Sequence, residues 1–269
     1  MTPMHALRGM QALGSREVTK FWHQKGRLIS ALVRPALWLI VFAAGFQHMS
    51  GVAVVPPYDA QIEYQVYIAP GLLGMVLLFN SMQSSLSMVY DREMGLMRLL
   101  LTAPLPRWYL LLCKLMAGTL LSVLQAYAFL LLCVLFDVDI PMIGWLYALP
   151  ALVLGGMMLG SLGLLLSVHI KQLENFAGTM NFVIFPMFFI SSALYPLRKL
   201  DASGAEIIYT LARFNPFTHT IELIRFALYG QLNAISLAVV VGSGIVFFVL
   251  SVYGYDPQRG MASRAPTPA

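Results

Sequence analysis

Tyr90–Lys114 reads YDREMGLMRLLLTAPLPRWYLLLCK, a short charged interruption between two apolar runs that are each long enough to cross a membrane. Asp91, Arg92, Glu93 and Arg98 supply charge, and Met94, Met97 and Leu100 recur at helical spacing. Pro104 and Pro106 stop that helix before Trp108 opens the next run. The pattern predicts a cytoplasmic helix over 90–107, with Gly95 letting another surface approach closely and the flanking methionines wedging into it. Taken alone, the charges also fit an ordinary solvated loop between spans.

Composition sets the medium around this stretch. Of 269 residues, 59% are hydrophobic and 11% charged, and mean hydropathy is +0.75, too apolar and charge-poor for a soluble domain. The expected class is an all-α polytopic membrane protein. A net charge of +5 would hint at nucleic acid in a soluble chain, but here the basic residues gather beside apolar runs, where they orient and anchor. Cys113 and Cys133 fall at opposite ends of one expected span, about 30 Å apart at 1.5 Å per residue, too far to bridge. No small-residue cleavage site follows a short apolar core near the N-terminus, so no signal peptide is expected.

Outward from the opening stretch, six spans are expected at 32–47, 67–89, 108–136, 145–168, 176–194 and 234–253. Residues 15–31 set Val18, Phe21, Trp22, Leu28 and Ile29, with Leu32 just beyond, on one helix face with Arg16, Lys20, Gln24 and Arg27 largely opposite, an interfacial amphipathic helix. Arg34 is read as snorkelling at the margin of the first span, with Pro35 tolerated in its first turn. Between the fifth and sixth spans, 195–233 holds two apolar helical patterns too short to cross, Glu206–Phe214 and Pro216–Gly230, which are expected to be re-entrant or interfacial. Asn215 is the N-cap of the second, Pro216 its first residue, and Glu222 and Arg225 an i,i+3 pair. The Pro-rich tail over 254–269 is expected to be disordered. Thirteen Lys and Arg lie on one side of these spans and four on the other, all within 195–232, so both termini are expected in the cytoplasm and 195–233 outside it.

At this point the chain resembles a known family. Glu93-x-Gly95, Arg98-x-Leu100-Leu101, the Ala103-Pro104 stop and Lys114 leading into a span are similar to the signature of ABC type-2 transporter permeases, and Tyr195-Pro196 and Asn215-Pro216-Phe217 match later positions of the same pattern. The short exporter permeases of the nodulation-factor and drug-efflux branch are the nearest in appearance. The resemblance implies a transport subunit in a bacterial inner membrane, not an enzyme, that works as a homodimer with two copies of an ABC ATP-binding subunit. ATP and Mg would sit on that partner, the chain itself carrying no cofactor. The 90–107 helix would be the coupling helix, with Asp91, Arg92, Glu93, Met94, Gly95, Met97 and Arg98 as its contacts. An amphipathic or hydrophobic cargo is implied.

The residues agree with that reading by what they lack. No Asp, Glu, Lys or Arg is expected within the spans away from their margins, where an ion-driven carrier or an intramembrane hydrolase would need them. No Gly-Lys dipeptide occurs, hence no loop of the Walker A type to cradle ATP phosphates. Milder polar groups remain. Asn80, Ser84 and Ser87 fall at i, i+4, i+7, with Gln83 beside them, and are candidates for a translocation path. The alternative is that the serines bond their own helix while Asn and Gln join neighbouring helices. Phe182 and Phe185, with Phe188 and Phe189, are candidates for an aromatic gate, against simple lipid contact. Gly156-x-x-x-Gly160 fits close helix packing, within one chain rather than across a dimer seam. His169 and His219 have no second ligand at metal spacing, so no metal site is expected. Two other classes stand as alternatives: a passive channel or scaffold needing no ATPase, and an intramembrane enzyme, which would need a catalytic constellation at depth.

Overall fold

Proline and small residues decide where this chain starts, joins and packs its helices. A computed structural model describes residues 32–41, 56–58, 60–94, 106–170, 172–197 and 206–254, with isolated positions nearer the N-terminus. The expected interfacial helix, the tail beyond Gly254 and most of the expected coupling segment, including Gly95, Met97 and Arg98, lie outside the described residues.

Among the described residues there are eight helices: α1 Leu32–Val41, α2 Tyr64–Glu93, α3 Arg107–Leu135, α4 Met142–His169, α5 Leu173–Phe189, α6 Glu206–Phe214, α7 Pro216–Leu228 and α8 Ala234–Gly254. Pro106 and Pro141 precede α3 and α4, and Pro216 opens α7, positions where a missing N–H costs nothing. At its other end α7 closes with Gly230 at φ 68°, its N–H donating to the Ala227 carbonyl while Gln231 N–H donates to Phe226, the paired bonds of a Schellman cap.

Four helices, α2, α3, α4 and α8, are long and apolar enough to cross a membrane. The chain is an all-α polytopic membrane protein. The fifth expected span, 176–194, is displaced: α5 begins at Leu173 and its 17 residues, about 25 Å at 1.5 Å per residue, end at Phe189. The displacement follows from side chains that capture the next backbone groups. Ser191 Oγ donates to the Phe188 carbonyl at 2.6 Å, and the Ser192 carbonyl accepts from Tyr67 and Arg225 instead of continuing a helix.

α2 is the axis of the bundle. Of its most apolar window 78% is buried, against 17% for α8, although α8 is the more hydrophobic. The inversion is that of a membrane: lipid tails are as apolar as leucine, so burying leucine drives little, and small residues that let backbones approach drive association. α3, α4, α5 and α7 surround α2, while α8 packs on α4 and α7 and turns most of its surface outward. Gly156 and Gly160 face α3 of the same chain, where an added Cβ would meet Thr119 Cγ2 at 3.0 Å and Leu115 Cδ1 at 2.5 Å. The motif is therefore an intrachain seam. Gly118 of α3 in turn faces Ser84 of α2, and Gly163 of α4 faces Ser85.

Candidate functional site

The expected coupling charges separate at the end of the α2–α3 hairpin. α2 runs without a break to Glu93, so Tyr90–Glu93 is the last turn of a spanning helix and not the start of an independent one. Asp91 is fully buried and accepts from Lys114 Nζ of α3 at 2.8 Å. A carboxylate there has no face for a partner, which corrects its grouping with the docking residues: periodicity turns Asp91 inward and Glu93 outward. Glu93 is exposed and Met94, 60% exposed, closes the helix through its N–H to the Tyr90 carbonyl at 3.0 Å. Arg92 belongs to the same turn. The hairpin is thus clamped by a buried ion pair directly beneath an exposed acid and an exposed methionine.

The polar stripe on α2 does not form one path. Ser84 and Ser87 line a cleft with Ser81, Ser85 and Lys114 between α2, α3 and α4, whereas Asn80 and Gln83 line another with Arg34 between α1 and α2. Several hydroxyls are spent locally: Ser87 donates to the Ser84 carbonyl at 2.7 Å, Ser85 to Ser81 at 3.0 Å, Ser122 to Gly118 at 2.9 Å. The aromatic cluster also divides. Phe188 is buried against Phe217 and Trp38, while Phe182 and Phe185 turn outward at 79% and 49% exposure, so the four rings do not close on one point within a single copy. Phe185 stacks on Phe189 at 6.3 Å and Phe189 meets Phe188 edge-on at 5.6 Å, so these three rings touch in a row and Phe182 stands apart from them.

Arg34 is the largest departure from the sequence reading. Its guanidinium lies 4.0 Å from the centroid of the Phe79 ring, midway along α2, about 21 Å of helix from Glu93 and about 22 Å from Tyr64. One turn further on, Trp38 already meets Phe188 and Phe189 in the last turn of α5. Arg34 therefore stands at mid-depth and not at the margin, and the bundle does carry a cation there. Helix positions read from hydropathy alone could not register α1 against α2.

At the opposite end, Glu222 and Arg225 form the expected ion pair, but Arg225 is almost as deeply buried as Asp91, at 1% exposure. Its Nη2 donates to the Ser192 carbonyl at 2.9 Å, and the guanidinium lies 4.2 Å from the Tyr67 ring centroid. Tyr58 packs edge-on against Tyr229 at 5.0 Å beside this cluster, and burial pushes its phenol above the usual range. Asn215 caps α7 as expected, accepting from Phe217 N–H at 3.0 Å, and its amide also donates to Met187 and Ile190 at the end of α5. This short helix is bolted to both α2 and α5, and only the cap was visible as a local pattern.

A family model described as ABC-2 type transporter matches residues 8–229, which takes in the hairpin, the clamp and α7. The chain belongs to the ABC-2 type transporter family. This ABC-2 chain is 34% identical over 206 residues to a putative transport permease ycf38 of Cyanophora paradoxa, covering 74% of this chain and 67% of that one. It is 35% identical over 86 residues to nodulation protein J of Rhizobium leguminosarum bv. viciae, about a third of each chain. With the inner membrane transport permease YadH of Escherichia coli K12 it shares 22% identity over 244 residues, 89% of this chain and 90% of the relative. The resemblance seen in Glu93-x-Gly95 and Asn215-Pro216 is thus one of family across most of the ABC-2 chain.

Proposed function

We propose that this chain is the membrane-spanning subunit of an ATP-driven exporter that moves an amphipathic or hydrophobic compound out of the cytoplasm or the inner leaflet. Two copies would pair as a homodimer in a bacterial inner membrane, termini inside, each docking one ATP-binding subunit that holds ATP and Mg. The observation that carries the reading is the Asp91–Lys114 clamp under exposed Glu93 and Met94. A partner gripping that tip moves α2 and α3 together, because breaking a buried ion pair costs about 3–5 kcal/mol while the exposed residues above it cost little to engage. α2 is the axis of the bundle, so its displacement reaches α4, α5 and α7.

Co-purification with the ATPase, and substrate-stimulated hydrolysis in lipid, test this. Glu93→Ala combined with Arg98→Ala should leave insertion and thermal stability unchanged, Glu93 being exposed at the end of its helix, and should abolish stimulated hydrolysis or subunit association. Unchanged assembly and transport in that double variant would mean that the tip is only a loop.

A further inference from the structure

Arg34, Phe79, Asn80 and Gln83 meet in the cleft between α1 and α2 at mid-depth of the bundle. Three properties of this cleft belong together. Arg34 carries a full charge and is exposed, and among the described residues it faces no carboxylate; its one described contact is the face of Phe79. Asn80 is 5% exposed, lines the same cleft, and its Nδ2 is a buried donor with no acceptor among the described residues. Beside them α1 presents Val33, Leu37, Ile40 and Val41 outward, a continuous apolar track. A guanidinium and an unmet amide donor both want an oxyanion, and the track wants acyl chain. An uncompensated cation at bilayer depth is expensive, and a ligand that supplies the missing charge removes that cost.

We propose that this cleft binds the anionic head, phosphate or carboxylate, of a membrane amphiphile whose chain lies along α1. The chemistry is shared by a resident acidic lipid and by a transported amphiphile; for the second source the inference rests on the export reading above. Arg34 would hold the two charged oxygens of the head through its fork while remaining stacked on Phe79, and Asn80 would donate to one of the same two oxygens.

Native mass spectrometry of the purified chain without its ATPase, from micelles holding phosphatidylglycerol and phosphatidylcholine in equal amounts, tests the site apart from transport. The wild-type chain should retain phosphatidylglycerol roughly tenfold over phosphatidylcholine. Arg34→Gln should lose the preference by removing the cation, and Asn80→Asp, nearly isosteric, should lose it by supplying an internal carboxylate. Arg34→Lys should keep part, and Arg213→Gln, on α6 and not among the residues that line the cleft, all of it. Displacement by excess inorganic phosphate would mark a free-anion site and overturn the amphiphile. Equal retention across all variants, or a changed oligomeric state in Arg34→Gln with bound lipid unchanged, would overturn the proposal too, the latter assigning Arg34 to a second copy. Adding ATPase and ATP separates the two sources, since a transported amphiphile leaves on turnover and a resident lipid stays. Selective retention without any transport would sink the export reading and leave this one standing.

Discussion

Arg225 shows how much one side chain can hold at the end of a helical bundle. A fully buried guanidinium survives only where its charge and most of its donors are met, and here Glu222, the Ser192 carbonyl and the Tyr67 ring do so from three segments, leaving Nε–H without an acceptor among the described residues. Glu222→Ala removes the charge and leaves the cation stranded, so it should destabilise the chain by about 3–5 kcal/mol, whereas Glu222→Gln keeps an acceptor and should cost less. Thermal unfolding in detergent reads both. Equal midpoints for wild type and Glu222→Ala would show that the pair is dispensable. The i,i+3 spacing of the pair is plain in the sequence, but its burial is not, because the groups that enclose it come from residues 67 and 192.

At the scale of the element, helix joints depend on what stands opposite each glycine. A Cβ at Gly71 would fall 2.7 Å from the Ala193 Cα, and one at Gly144 would be driven into the Leu228 carbonyl, backbone in both cases and unable to swing aside. At Gly160 the obstacle is the end of a flexible Leu115, and at Gly242 nothing lies within 4 Å. Alanine at 71 or 144 should therefore cost about 1–3 kcal/mol or more by overpacking, alanine at 160 less, and Gly242→Ala should gain about 0.5–1 kcal/mol from helix propensity. The order of unfolding midpoints checks this. A Gly71→Ala chain as stable as wild type would mean that α2 does not touch the 190–195 segment. The motif Gly156-x-x-x-Gly160 is legible in one dimension, while Gly71 and Gly144 stand in no motif and are recognisable only from the strands of backbone laid across them.

Across the whole molecule, Glu93 and Gln231 should lie on opposite faces of the membrane, since α2 carries one end and the α7–α8 turn the other. Both are exposed, and Cys113 and Cys133 are buried, so single cysteines at 93 and 231 should report cleanly. In intact cells a membrane-impermeant thiol reagent should modify Gln231→Cys and spare Glu93→Cys. The reverse labelling would invert the orientation argued from Lys and Arg.

Hydropathy and punctuation alone carried the helical class, the bounds of α3, α4 and α8 to within about three residues, and the cap at Asn215, because each rests on neighbours along the chain: an unbroken apolar run, a proline, a polar residue one place before it. The family signature was equally local. Tertiary structure decided the rest. Asp91 turned out to be a clamp and Glu93 an exposed tip because a helix rotates consecutive residues by 100° and only the position of Lys114 says which side is inward. Arg34 moved from the margin to mid-depth because the height of one helix against another is set by side chains far apart in sequence, here Trp38 on Phe188 and Arg34 on Phe79, and no run of apolar residues records it.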